Sequence, residues 1–315
     1  MPETIHLTGE IPAAAAGRRL DQVLAELFDG YSRSRLQQWI RQGGVLLDDR
    51  PVVARQRVVG GERVEIRAQL PLETEARPQA IPLDLRFEDD QLLVVNKPPG
   101  LVVHPAAGNP EGTLQNALLY HYPELAGLPR AGIVHRLDKD TSGLMVVARS
   151  LGAHKALVDQ LQARSVRREY LALVHSALTA GGSVDAPIGR HPRDRLRMAV
   201  VRSGKPALTH YRILERFPAH TLLKVRLETG RTHQIRVHMA HINCPLVGDP
   251  LYGGRQRLPR GVSAALREAL IAFRRQALHA ARLALTHPRR HEWLSWEAEL
   301  PEDFARLLAL LREGA

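Results

Sequence analysis

Cys244 is the only cysteine in the 315 residues. An internal disulfide is therefore excluded, and so is any zinc site built on cysteines; a reducing compartment suits such a chain. No apolar run approaches the roughly 18 residues of a membrane-spanning helix. The N-terminal stretch MPETIHLTGEIPAAAAG has neither a basic start nor a long apolar centre, so no signal peptide is expected there. The expected location is the cytoplasm, with no membrane partner. No internal repeat is visible. No glycine-rich phosphate loop follows a strand, since GNPEGT at 108–113 fits neither nucleotide-binding fingerprint. Lysine is scarce: only Lys97, Lys139, Lys155, Lys205 and Lys224 carry an ammonium.

Hydrophobic residues are 44% of the chain, enough for a packed core. The net charge is +11 and the pI about 10.4. Such a field favours polyanions. Because nearly all the positive charge is arginine, genome composition is a second reading of the same excess.

The stretch 67–80, RAQLPLETEARPQA, is charged, contains proline and lacks periodicity. It reads as a linker between a small module over 17–66 and a large domain over 81–302, with a C-terminal helix over 303–315. In the small module Leu20, Val23, Leu24, Leu27 and Phe28 recur at helical spacing. A second helix is expected to start at the N-cap Ser32, to bury Leu36, Trp39 and Ile40, and to end at Gly43 or Gly44. Arg33, Arg35 and Arg41 are expected largely on another face. A hairpin and a last strand at 62–66 complete an α/β unit whose basic face is either an RNA-binding surface or an ordinary solvated one.

In the large domain strands outnumber helices. They are expected at 92–96, 101–103, 131–137, 144–149, 170–174, 222–227 and 294–299, and helices near 113–121, 153–164 and 263–273. Short turns between them argue for an α+β domain on a mostly antiparallel mixed sheet rather than regular βαβ alternation. The stretch GIVHRLDKDTSGLMVVAR (132–149) holds Asp138 in a loop between two apolar runs. Gly143 can take a positive φ there, and Thr141 and Ser142 can stiffen the turn. A turn residue and a mounted catalytic acid are both open to Asp138 at this point.

The stretch HRLDKDTSGLMVVAR resembles the catalytic motif of the RluA-type pseudouridine synthases. VVNKPPGLVVHPAAGNPEGTLQNAL, RREYLALV, LETGRTHQIRVHMAHINCPLVGDPLYGG and RQALHAARLALTHP match that family in the same order. Within it the chain looks most like the enzymes of large-subunit ribosomal RNA. GRRLDQVLAELFDGYSRSRLQQWIRQGGVLLDDRPV resembles the small RNA-binding module first described in a ribosomal small-subunit protein.

The resemblance implies isomerisation of uridine to pseudouridine. That reaction breaks the C1′–N1 bond, turns the uracil and joins C5 to C1′. A carboxylate at Asp138 would either attack C1′ or help take a proton from C2′, and a nearby arginine would keep it ionised. The resemblance gives that arginine as Arg236, with Arg231 the alternative. It gives Tyr170 as the residue that stacks on the uracil, and Arg136 as the one that fills the space left by the flipped base. Leu137, Ile235 and Val237 are candidates for a water-excluding wall. Lys97 is a candidate phosphate contact, or else part of a structural loop. His233, His238 and His241 are close in sequence, but their spacing on a strand or mixed element does not converge on a metal. No metal or other cofactor is implied. The expected partner is ribosomal RNA, of the large subunit or a pre-ribosomal particle, bound by a monomer.

Overall fold

The computed structural model describes residues 4–69, 76–106, 108–194, 196–254, 258 and 261–314. Of the expected linker over 67–80, residues 70–75 lie outside them.

The N-terminal unit is a four-stranded antiparallel sheet backed by two helices. Its strands are β1 (Thr4–Glu10), β2 (Val45–Leu47), β3 (Arg50–Pro51) and β4 (Arg63–Gln69), in the order β1-β4-β2-β3. β1 lies before residue 17, where no strand is expected, yet it pairs along the whole of β4. Helix α1 (Leu20–Leu27) and helix α2 (Arg33–Arg41) bury Leu20, Val23, Leu24, Leu36, Trp39 and Ile40 in one core. The Ser32 hydroxyl accepts the Arg35 amide and caps α2. Arg35 is buried rather than on an exposed face. Arg33 turns back onto Asp21, which also receives Arg19 and Gln37.

The large unit carries a nine-stranded sheet in the order β5-β6-β7-β14-β8-β13-β12-β9, with β15 also paired to β14. The strands are β5 (Leu85–Glu88), β6 (Leu92–Lys97), β7 (Ser142–Ala148), β8 (Arg167–Val174), β9 (Gly182–Asp185), β12 (Leu208–Arg216), β13 (Thr221–Leu227), β14 (Leu278–Thr286) and β15 (Trp293–Glu297). A separate hairpin joins β10 (Ile188–Arg190) to β11 (Met198–Val200). Every pairing in the large sheet is antiparallel except β7 with β14. The α+β expectation holds.

The central strand β7 is buried on both sides. Met145 and Val147 face the core that holds α3 (Leu114–His121), and Leu144, Val146 and Ala148 face the core that holds α4 (Leu151–Gln162). Its sequence is therefore a continuous apolar run. Gly143 has φ +111°, and a Cβ there would stand 2.3 Å from the Ala280 carbonyl oxygen of the parallel neighbour. The tight pairing of β7 with β14 depends on that missing atom.

Three local expectations fail. Residues 131–137 form no strand: Arg130 and Ala131 are left-handed within a 3-10 turn, and Ile133 makes a single bridge to Val147. The run is apolar because it packs against β7, with Ala131 and Ile133 buried. The stretch 101–103 contributes only a bridge from Val102 to Thr113. Residues Gln234–His241 form helix α5, not a strand or mixed element. Helices α6 (Ala264–Ala272) and α7 (Glu302–Glu313) close the far side with their own apolar cluster.

Candidate active site

The chain from Ile133 to Thr141 runs into the start of β7 and places Asp138 at the sheet's end. His135 fixes this segment by accepting the Val146 amide at 3.0 Å through Nε2. Burial pushes its pKa down to about 3, with Arg168 adding to the effect, so the ring is neutral. The Asp138 carbonyl accepts the Thr141 amide and closes a turn.

Lys97 braces the same segment from beneath. Its ammonium donates to the carbonyls of Pro98, Leu101 and Lys139 at 2.8–2.9 Å and is fully buried. Burial lowers its pKa to about 7, against the pull of Asp140 and Asp138. The expected phosphate contact is thus corrected: all three donors are used inside the protein, and no RNA phosphate can reach them.

Arg236 reaches Asp138 from α5, with Nη1 3.1 Å from Oδ2. The rest of the guanidinium forks onto Asp249 at 2.7 and 2.8 Å. Asp249 Oδ1 also accepts the amides of Leu251 and Tyr252. Burial opposes the charge on Arg236, but Asp249 and then Asp138 outweigh it and raise its pKa above the ordinary value. Arg231 is not at Asp138; its Nε donates to the Pro206 carbonyl. Of the two alternatives, Arg236 is the one brought to the acid.

Asp138 opens into a cleft of about 590 Å³. Tyr170 lines it from β8 and is 5% exposed. Burial raises the pKa of its hydroxyl, Arg168 opposes and Asp138 adds to the rise. Arg130, Arg136, Arg164, Arg168 and Arg231 also line the cleft, so the acid opens into a basic space. Leu137 and Ile235 belong to this wall, whereas Val237 packs away from it with Ile188 and Ala207.

The sequence reading missed Asp249, Tyr252 and Arg168, and weighed His233 only as a metal ligand. Arg168 stands two residues from Tyr170 on the same face of β8, so strand alternation around RREY was the available signal. His238 is buried between Thr209 and the Ala186 carbonyl, while His233 faces Asp138.

A guanidinium-held carboxylate in a basic cleft suits chemistry at a sugar carbon of a polyanion. Residues 91–241 match the family model described as RNA pseudouridylate synthase, and residues 18–64 match the S4 domain model. A protein of Xanthomonas campestris pv. campestris named "Ribosomal large subunit pseudouridine synthase D" is 59% identical, over 97% of this chain and 92% of its own length. The chain belongs to the RNA pseudouridine synthase family. An Escherichia coli K12 protein of the same name is 53% identical over 99% of this chain and 96% of its own length. The structure of human RNA pseudouridylate synthase domain containing 4 superposes with a TM-score of 0.56 at 27% identity, over 73% of this chain and 93% of that one. The chain is accordingly an RNA-modifying isomerase with an N-terminal RNA-binding module. Among the described residues no helix is long and apolar enough to cross a membrane.

Proposed function

We propose that this chain converts uridine to pseudouridine in large-subunit ribosomal RNA, with Asp138 as the catalytic carboxylate. The observation that carries the reading is the 3.1 Å pair between Asp138 and Arg236 inside an arginine-lined cleft. Breaking the C1′–N1 bond sends its electron pair to uracil N1 and leaves positive charge on the ribose. The ionised Asp138 stabilises that charge. On one route a carboxylate oxygen bonds to C1′; on the other it accepts the C2′ proton and leaves a glycal. On the first route the turned uracil bonds C5 to C1′ and displaces the carboxylate oxygen; on the second C5 bonds to C1′ while Asp138 returns the proton to C2′. On both the C5 proton then departs.

Tyr170 stacks on the base, and Arg136, exposed at the mouth of the cleft, takes the place of the flipped nucleotide. Arg231 meets a neighbouring phosphate. Leu137 and Ile235 keep water from the detached uracil, which would otherwise be lost by hydrolysis. The enzyme acts as a cytoplasmic monomer and needs no cofactor. Tritium release from ribosomal RNA carrying 5-tritiated uridine tests the reading. Wild type should release tritium, and Asp138→Asn should lose ~1,000-fold or more in rate. Equal release by both proteins would refute the role of Asp138. Pseudouridine mapping in cells lacking the protein should show the loss in large-subunit RNA; loss only in another RNA would refute the substrate.

A further inference from the structure

Asp138 has two carboxylate oxygens, and Arg236 holds only Oδ2. The other, Oδ1, faces His233 Nε2 at 3.9 Å. That gap is too long for a hydrogen bond. Hydrogen bonds at active sites are commonly long before substrate arrives and shorten in the complex.

The ring's protons can be assigned from its neighbours. The Met198 amide donates to the Tyr252 hydroxyl at 2.8 Å. The same hydroxyl lies 2.8 Å from His233 Nδ1. Its single proton has no other acceptor among the described residues, so it goes to Nδ1. A neutral ring then carries its own proton on Nε2, the nitrogen aimed at Asp138. Burial favours the neutral ring and Asp138 opposes it; Arg236 and Arg136 act with burial, and Asp249 acts with Asp138.

The backbone points the same way. His233 precedes α5 with φ 58° and ψ 21° and makes no capping bond with its side chain. Positive φ is uncommon outside glycine, although histidine adopts it more readily than most residues, as His291 also does here, and backbone strain often gathers at functional sites. Tyr252 also lies under the Arg236 guanidinium, 5.1 Å from ring centroid to carbon, so one phenol supports both groups that face the acid.

We infer that His233 is a positioning residue for Asp138: in the RNA-bound enzyme its Nε2–H closes onto Oδ1 while Arg236 keeps Oδ2, and Tyr252 fixes the tautomer. This inference rests on the catalytic reading of Asp138. The experiment measures single-turnover tritium release and RNA affinity in the full-length protein. His233→Gly keeps the positive φ but removes the donor. His233→Asn tolerates the same backbone and restores an N–H. A hydrogen bond to a charged group predicts a rate loss on the order of 10- to 100-fold for His233→Gly, with RNA affinity unchanged and most of the rate recovered in His233→Asn. Tyr252→Phe should also slow the rate.

Nitrogen NMR of the wild-type ring should place the proton on Nε2, a readout that no folding defect in a variant can mimic. A proton on Nδ1, a wild-type rate in His233→Gly, equal losses in the glycine and asparagine variants, or a loss seen only in RNA affinity would each overturn the inference. If Asp138→Asn is inert while His233→Gly is fully active, only this inference fails. If Asp138→Asn is itself active, the catalytic reading fails first.

Discussion

Arg236 serves two carboxylates at once, and that double duty fixes what a substitution there does. Asp249 is fully buried and takes two of the guanidinium's donors. A lysine is a point charge and cannot form the fork. Arg236→Lys should therefore slow catalysis ~100-fold, leave RNA affinity within a few-fold, and cost about 3 kcal/mol of stability by stranding part of the Asp249 charge. Single-turnover rates, filter binding and thermal melts check the three parts. Lys97→Met makes the converse point. It frees three carbonyls that now grip the ammonium. The expected outcome is a looser Asp138 loop and a lower rate, while the salt dependence of RNA binding stays that of wild type. A shallower salt slope would restore Lys97 as a phosphate contact. HRLD marks Asp138 in the sequence, but nothing there shows which arginine reaches it, because Arg231 and Arg236 are separated only by where α5 begins. Asp249 and Tyr252 were invisible for a related reason: their role is to hold residues 13 and 19 positions away, and no periodicity reports that.

At the scale of elements, legibility followed burial pattern. Strands β6 and β7 and helices α3 and α4 carry a single clear signal each. The run 131–134 has the same composition as a strand, yet it packs on β7 as a turn; a short apolar run records burial, not backbone conformation. The strand β1 alternates weakly and gains its identity only from β4. Asp21 ties α1 to α2 through Arg19, Arg33 and Gln37. Burial resists the charge, but these donors prevail and bring its pKa down to about 2. The unfolded value is about 3.9. A depressed carboxylate stabilises the fold above its unfolded pKa, and this contribution disappears as pH falls from about 4 to about 2. Asp21→Asn should remove it at neutral pH. Hydrogen exchange in α1 and α2 should then speed up at pH 7 and match wild type near pH 2; an unchanged rate at pH 7 would rule the tie out.

For the whole molecule, the +11 charge alone could not separate function from arginine-rich coding. Location separates them. Arg136, Arg164 and Arg231 all line the cleft that holds Asp138. Each phosphate neutralised on RNA releases counterions, and the slope of log affinity against log salt changes by roughly 0.7 to 0.9 per contact. Replacing Arg136, Arg164 and Arg231 together by glutamine should lower that slope by about 2. An equal number of replacements of exposed arginines outside the cleft, such as Arg289, Arg290 and Arg306, should leave it unchanged. Equal shifts in the two triple variants would mean that only total charge matters, and that the cleft has no special claim on the RNA.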